Sequence, residues 1–109
     1  MTIISEDGNC EWDEEKDLIN RKKHHISFET VSKVFYDPLF LEIEDEGRSE
    51  SEQRYQGLGN INGIAIITVF NTERSADDRI RHRLISARSL GPKEKEEYEK
   101  YIKSFFRTN

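Results

Sequence analysis

The run IAIITVF, residues 64–70, is the most apolar in the chain, and its reading decides the fold. Seven residues rich in β-branched side chains are too short for a stable helix, but they suit a strand buried in the middle of a sheet. Working outward, QRYQGLG (53–59) is a weaker strand candidate, joined to the run by NING (60–63) as a turn. On the other side ERSADD (73–78) reads as a polar turn. It leads into RIRHRLISA (79–87), a strand with Ile80, His82 and Leu84 on one face and Arg79, Arg81 and Arg83 on the other. A short stretch, LFLEI (39–43), completes a sheet of about four antiparallel strands.

Helical signals lie on both flanks. Asp13 is an N-cap candidate with Glu14 and Glu15 in the first turn, and the helix runs to about His24, its end rich in cations. Ser27 caps a second, shorter helix, in which Phe28, Val31, Val34 and Phe35 recur at helical spacing and should face the core. Asp37-Pro38 ends it. The stretch 92–106 opens with Pro92, and Tyr98, Tyr101, Ile102 and Phe105 form a stripe that should pack on the sheet. The expected order is two helices, four antiparallel strands and one helix, an α+β fold in a single domain over residues 1–109. Residues 1–9 precede these elements as an extension with freedom to move, and residues 44–52, EDEGRSESE, are the most loop-like.

Composition narrows the function classes. Charged residues are 36% and hydrophobic residues 34%, so a modest core sits under a large polar surface. No run approaches the roughly 20 apolar residues that cross a bilayer, and the first residues lack the pattern of a secretion signal, so a cytoplasmic protein is expected. The lone Cys10 makes no internal disulfide, and no His, Cys, Asp or Glu set has metal-ligand spacing; neither metal nor cofactor is expected. The net charge of −5 argues against a plain nucleic-acid binder, yet it is unevenly spread. Residues 1–73 carry net −9 and residues 74–109 net +4, so folding could gather a local anion site on an acidic protein.

Two constellations stand out. Lys16, Asn20 and Lys23 fall at i, i+4 and i+7 with His24 beside them, so one helical stripe carries a cluster of donors. Such a stripe suits a phosphate, and equally a solvated helix face. Arg79, Arg81 and Arg83 point the same way in a strand, which is unfavourable unless something anionic lies opposite. A nucleic-acid backbone, an acidic partner or the acidic half of this same chain all meet that need.

Taken in order, EWDEEK, Asn20, Lys23-His24, Ser27-Phe28, Phe35 and Asp37-Pro38, then Glu52, Arg54 and Gly59, then Thr72 and Arg74, and finally Arg83, ISAR (85–88), Glu94 and Tyr98, resemble the BrnT family of type II toxins. The likeness covers about residues 11 to 99. It implies a RelE-like fold and a ribonuclease that slows translation. It also implies a BrnA-like ribbon-helix-helix antitoxin that neutralises the toxin, with DNA met only through that antitoxin and no membrane involved. Departures are Cys10 where the family has Phe, His25 where it has Gly, and Gly91-Pro92 where it has Thr before the last helix.

The resemblance further implies metal-independent chemistry, in which a ribose 2′-OH attacks the adjacent phosphorus and the 5′-oxygen leaves. On that reading Arg54, Arg74 and Arg83 stabilise charge, and His24 or Glu52 moves the protons. Lys16, Lys23, Asn20, Arg81 and Arg88 hold the RNA. Arg88 is otherwise a structural partner for Glu94, and Tyr98 a core residue. The rival expectation is a catalytically inactive RelE-like module that binds protein through its arginine face, in keeping with the acidic net charge.

Overall fold

The computed structural model describes residues 1–44, 53–61, 65–76 and 78–107. Its elements are β1 (Thr2–Ile4), β2 (Cys10–Asp13), α1 (Glu14–His24), α2 (Phe28–Val31), a 3₁₀ helix (Ser32–Tyr36), β3 (Leu41–Glu44), β4 (Arg54–Ile61), β5 (Ala65–Ala76), β6 (Arg79–Ser89) and α3 (Pro92–Arg107). The strands form one sheet in the order β1-β2-β6-β5-β4-β3. The fold is α+β as expected, but the sheet has six strands and is mixed rather than four-stranded and antiparallel.

The two unforeseen strands come from the N-terminal residues. Thr2–Ile4 pair antiparallel with Glu11–Asp13, and Cys10 and Glu11 pair in parallel with His82 and Arg83. The residues read as an extension therefore add an edge to the sheet. Two three- or four-residue strands have too little length to show periodicity, and a parallel pairing made across 72 residues leaves no local signature. The polar turn expected at 73–78 is also shorter than read. The ladder continues through Glu73–His82, Arg74–Arg81 and Ser75–Ile80 to Ala76–Arg79, so pairing overrides the turn propensity of these residues. Much of the loop-like stretch 44–52 and of the NING turn lies outside the described residues.

One face of the sheet carries the core. Trp12, Phe28, Val31, Val34, Ile67, Val69 and Leu84 pack there, with Trp12 and Phe28 edge to face at 6.2 Å. Both N-caps form as read: Asp13 accepts from the Lys16 N–H at 3.2 Å, and Ser27 from the Thr30 N–H at 3.2 Å. The end of α1 takes the left-handed conformation at His25, φ 60°. A side chain at that position carries strain.

α1 lies along the edge of β6 beyond the point where β2 ends. A strand edge exposes unpaired backbone N–H groups, and the buried Asn20 answers one of them. Its Oδ1 accepts from the Ala87 N–H at 3.0 Å, and its Nδ2 donates to the Ile26 carbonyl at 3.1 Å. β6 is also irregular. Asn71 of β5 opposes Leu84 and Phe70 opposes Ser86, so Ile85 is an extra residue, a β-bulge.

The stripe on α3 packs only in part. Tyr98 is buried, donating from its hydroxyl to Asp37 at 3.2 Å, and Asp37 also accepts from the Asn60 N–H at 2.7 Å. Burial and the nearby Asp37 push the Tyr98 hydroxyl up to about 12. Phe105, expected on the sheet, is 49% exposed, and Phe106 is 63% exposed.

Candidate active-site cleft

On the face of the sheet opposite the core, even-numbered residues of β4 and β5 share rows with β6. Arg54 opposes Thr72, and Thr72 opposes Arg83, so the two arginines flank one threonine. The bulge then changes which residues of β6 face this side: Arg83 precedes it, and Ser86 and Arg88 follow it.

Between this face and α1 opens a cleft of about 670 Å³. Lys16, Asn20, Lys23 and His24 line it from the helix, and Arg54 and Arg88 from the sheet. The helical spacing of four residues thus converges on two arginines distant in sequence. Phe70, Ile85 and Ile19 add apolar surface. The Arg54 guanidinium lies over the Phe70 ring, 5.9 Å from its centre.

The members of the cleft differ in how firmly they are held. Arg88 makes a two-pronged pair with Glu94 of α3, at 2.6 and 3.0 Å, the partner anticipated from the sequence. Glu94 also accepts from Gln56 Nε2 at 3.1 Å and from the Gly91 N–H at 3.2 Å. These hydrogen bonds, that of Arg88 foremost, hold its carboxyl below the usual range against the opposing effect of burial. Asn20 lies in the cleft wall with its amide already engaged by backbone. Desolvation first, then Lys23, Arg88 and His25, lower the His24 pKa from the ordinary histidine value, which favours the uncharged imidazole.

The remaining sequence candidates sit elsewhere. Arg83 pairs with the buried Glu11 at 2.5 Å, and Arg81 lies 3.8 Å from the same carboxylate while its Nε donates to the Gly8 carbonyl at 2.9 Å. Arg79 donates to the Asp7 carbonyl at 3.2 Å and to the Asn9 side chain. Of the three anionic covers open to this arginine row, the one observed is the chain's own N-terminal segment. Arg74 is exposed, in a separate recess of about 240 Å³ with Glu73 and Ile80. Glu52 lies outside the described residues.

Residues lining the cleft that the sequence reading did not single out are Ile19 and Phe70. Ile19 was within reach, three residues after Lys16 and therefore on the same helical stripe. Ile85 was noted only within ISAR (85–88); the β-bulge that makes it an extra residue leaves no local signature. Asp17 of α1 accepts from the Phe28 N–H at 2.9 Å and ties α2 to α1. Among the described residues no helix is long and apolar enough to cross a membrane, and no group of three His, Cys, Asp or Glu is placed to hold a metal ion.

A family model described as "Ribonuclease toxin, BrnT, of type II toxin-antitoxin system" matches residues 12–94. Among solved structures, the chain is similar to the Brucella abortus ribonuclease toxin BrnT, with 23% identity and a TM-score of 0.53, over 73% of this chain and 92% of that one. At that identity the likeness speaks for the fold. No curated protein sequence matches the chain.

Proposed function

Because this chain belongs to the BrnT family of ribonuclease toxins of type II toxin–antitoxin systems, we propose that it is a RelE-like endoribonuclease that cleaves RNA without a metal ion and slows translation in the cytoplasm. A BrnA-like ribbon-helix-helix antitoxin holds it inactive, and contact with DNA comes only through that partner. The observation that carries this reading is the convergence of Lys16, Lys23 and His24 on Arg54 and Arg88 in one cleft.

In the proposed reaction the 2′-oxygen bonds to the adjacent phosphorus as the bond to the 5′-oxygen breaks. The products are a 2′,3′-cyclic phosphate and a free 5′-hydroxyl. One group takes the 2′-OH proton and another supplies a proton to the leaving oxygen. The neutral imidazole of His24 fits the first task; Glu52 is the second candidate for it. Charge grows on the phosphate oxygens, and Arg54 is placed to meet it with a planar guanidinium, while Arg88, whose two prongs are held by Glu94, adds positive charge at the cleft wall. Lys16 and Lys23 hold flanking phosphates as point charges. Arg81 and Arg83 serve the architecture instead, by neutralising Glu11.

The test is cleavage of a single-stranded RNA in EDTA by wild type and by Arg54→Ala. Wild-type cleavage with a deep loss in the variant is the expected result. Equal cleavage removes Arg54 from the mechanism, and a well-folded wild type that does not cleave removes the enzyme. A second reading, an inactive protein-binding module, is favoured by the exposed Phe105 and Phe106 at the end of α3. Expression of this chain alone in a host cell separates the two, since only the toxin arrests growth by itself.

A further inference from the structure

The cleft contains more than a phosphate site needs. Phosphate oxygens are met by hydrogen-bond donors and cations, and Lys16, Lys23, Arg54 and Arg88 supply them. Ile19, Ile85 and Phe70 have nothing to offer an oxyanion. Yet Ile19 presents 63% of its surface to solvent at the cleft lip, and Ile85 reaches the cleft as the extra residue of the β6 bulge. A regular strand would point Ile85 and Ser86 to opposite faces; the bulge gives both to the cleft. Bulges next to functional sites re-aim side chains in this way. The space fits the same conclusion, because about 670 Å³ lies within the roughly 300–1,000 Å³ typical of sites for whole small molecules rather than a bare anion.

Resting on the ribonuclease reading, we propose that the strip formed by Ile19, Ile85 and the Arg54–Phe70 stack is a nucleobase subsite, which makes the cleft selective for single-stranded RNA with an unstacked base. A base has an apolar face and a polar rim, and this cleft presents an apolar floor inside a ring of cations. Every base has such a face, so the subsite selects an accessible base rather than a particular sequence. In a duplex the face is covered by neighbouring pairs, and the phosphates cannot enter the cleft with a base splayed beside them.

The experiment uses the full chain and 2′-O-methyl RNA, which lacks the attacking hydroxyl, so that binding is read without cleavage. Four probes are compared at one low salt concentration: a single strand, the same strand with an abasic site at its centre, a hairpin duplex, and inorganic polyphosphate. The single strand should bind roughly tenfold more tightly than the abasic strand or the duplex, the size of one stacking contact. Ile19→Ser, on an exposed helix position where folding is not at stake, and Ile85→Ser should each abolish most of that margin and leave polyphosphate binding unchanged. Lys23→Ala should weaken all four probes. Equal binding of intact and abasic strands, or of strand and duplex, overturns the base subsite while leaving the phosphate cleft intact. Failure of the wild type to bind any probe overturns the ribonuclease reading itself.

Discussion

Arg83 and Arg54 stand in one cross-strand row, on either side of Thr72, yet they meet different surroundings. Arg83 is drawn to Glu11, a carboxylate only 7% exposed, which the N-terminal hairpin delivers to the edge of the sheet. Arg54 lies over Phe70 at the wall of a cleft whose far side is α1. Two arginines on one face of one sheet therefore do different work, according to what the chain lays beside each strand. Period-two spacing tells which face an arginine occupies; it cannot tell what covers that face.

This contrast is open to direct attack. Glu11→Ala should have the largest effect, a loss of about 3–5 kcal/mol in urea unfolding, because it takes the Glu11 carboxylate from the partly buried Arg83. Cleavage per folded molecule should hardly change. If Glu11→Ala instead lowers cleavage at unchanged stability, the arginine row belongs to the site. Next, Arg54→Ala should lower the cleavage rate about 10²–10³-fold, as for removal of one preorganised donor to developing charge. An equal loss in a stable Arg83→Ala variant would erase the distinction.

Asn20→Ala should cost about 1–3 kcal/mol of stability, since it strands the Ala87 N–H and the Ile26 carbonyl. RNA affinity measured well below the unfolding transition should be unaffected if its role is to seal the β6 edge. Acid should act through His24. Desolvation and nearby cations lower its folded pKa from the ordinary value of 6.5, so with His24 as the proposed base the rate should hold to a lower pH than an ordinary histidine would allow. As pH falls beneath the lowered value, kcat/KM should drop up to tenfold per unit. The unfolded imidazole takes its proton first, so the associated stability is present above pH 6.5 and is lost as pH falls through the folded pKa. Circular dichroism at each pH separates the two effects. The smallest effect belongs to His25→Gly, which should raise stability by about 1 kcal/mol by relieving φ 60°.

How much of this was legible beforehand follows from the range of each interaction. α1, with its Asp13 cap, could be read because caps and charge order are local. The strands around residues 64–70 and 79–87 could be read because alternation is local too. The Lys16–Asn20–Lys23–His24 stripe was visible, but Asn20 looked like its lysine neighbours, and only the fold shows its amide spent on Ala87. The β1–β2 hairpin was hidden because its reason for existing, a parallel pairing with His82 and Arg83, lies at the far end of the chain. The stripe of α3 foretold a buried face and said nothing of how far burial extends. Tyr98 is fixed by Asp37, whereas Phe105 is only half covered.

The bulge at Ile85 also sets the parity of β6. Before it, odd-numbered residues such as Arg83 look toward the cleft face; after it, even-numbered ones such as Ser86 and Arg88 do. The strand thus holds two half-sentences in different frames, joined by one silent letter. Deleting that letter leaves the spelling on either side intact. A strand without residue 85 would pair Leu84 and Ser86 with Asn71 and Phe70 in strict alternation, keeping Leu84 in the core and Arg88 toward the cleft, and would lose only the Ile85 side chain and the local kink that the bulge supplies. Length, at this one position, is as much a part of the site as chemistry.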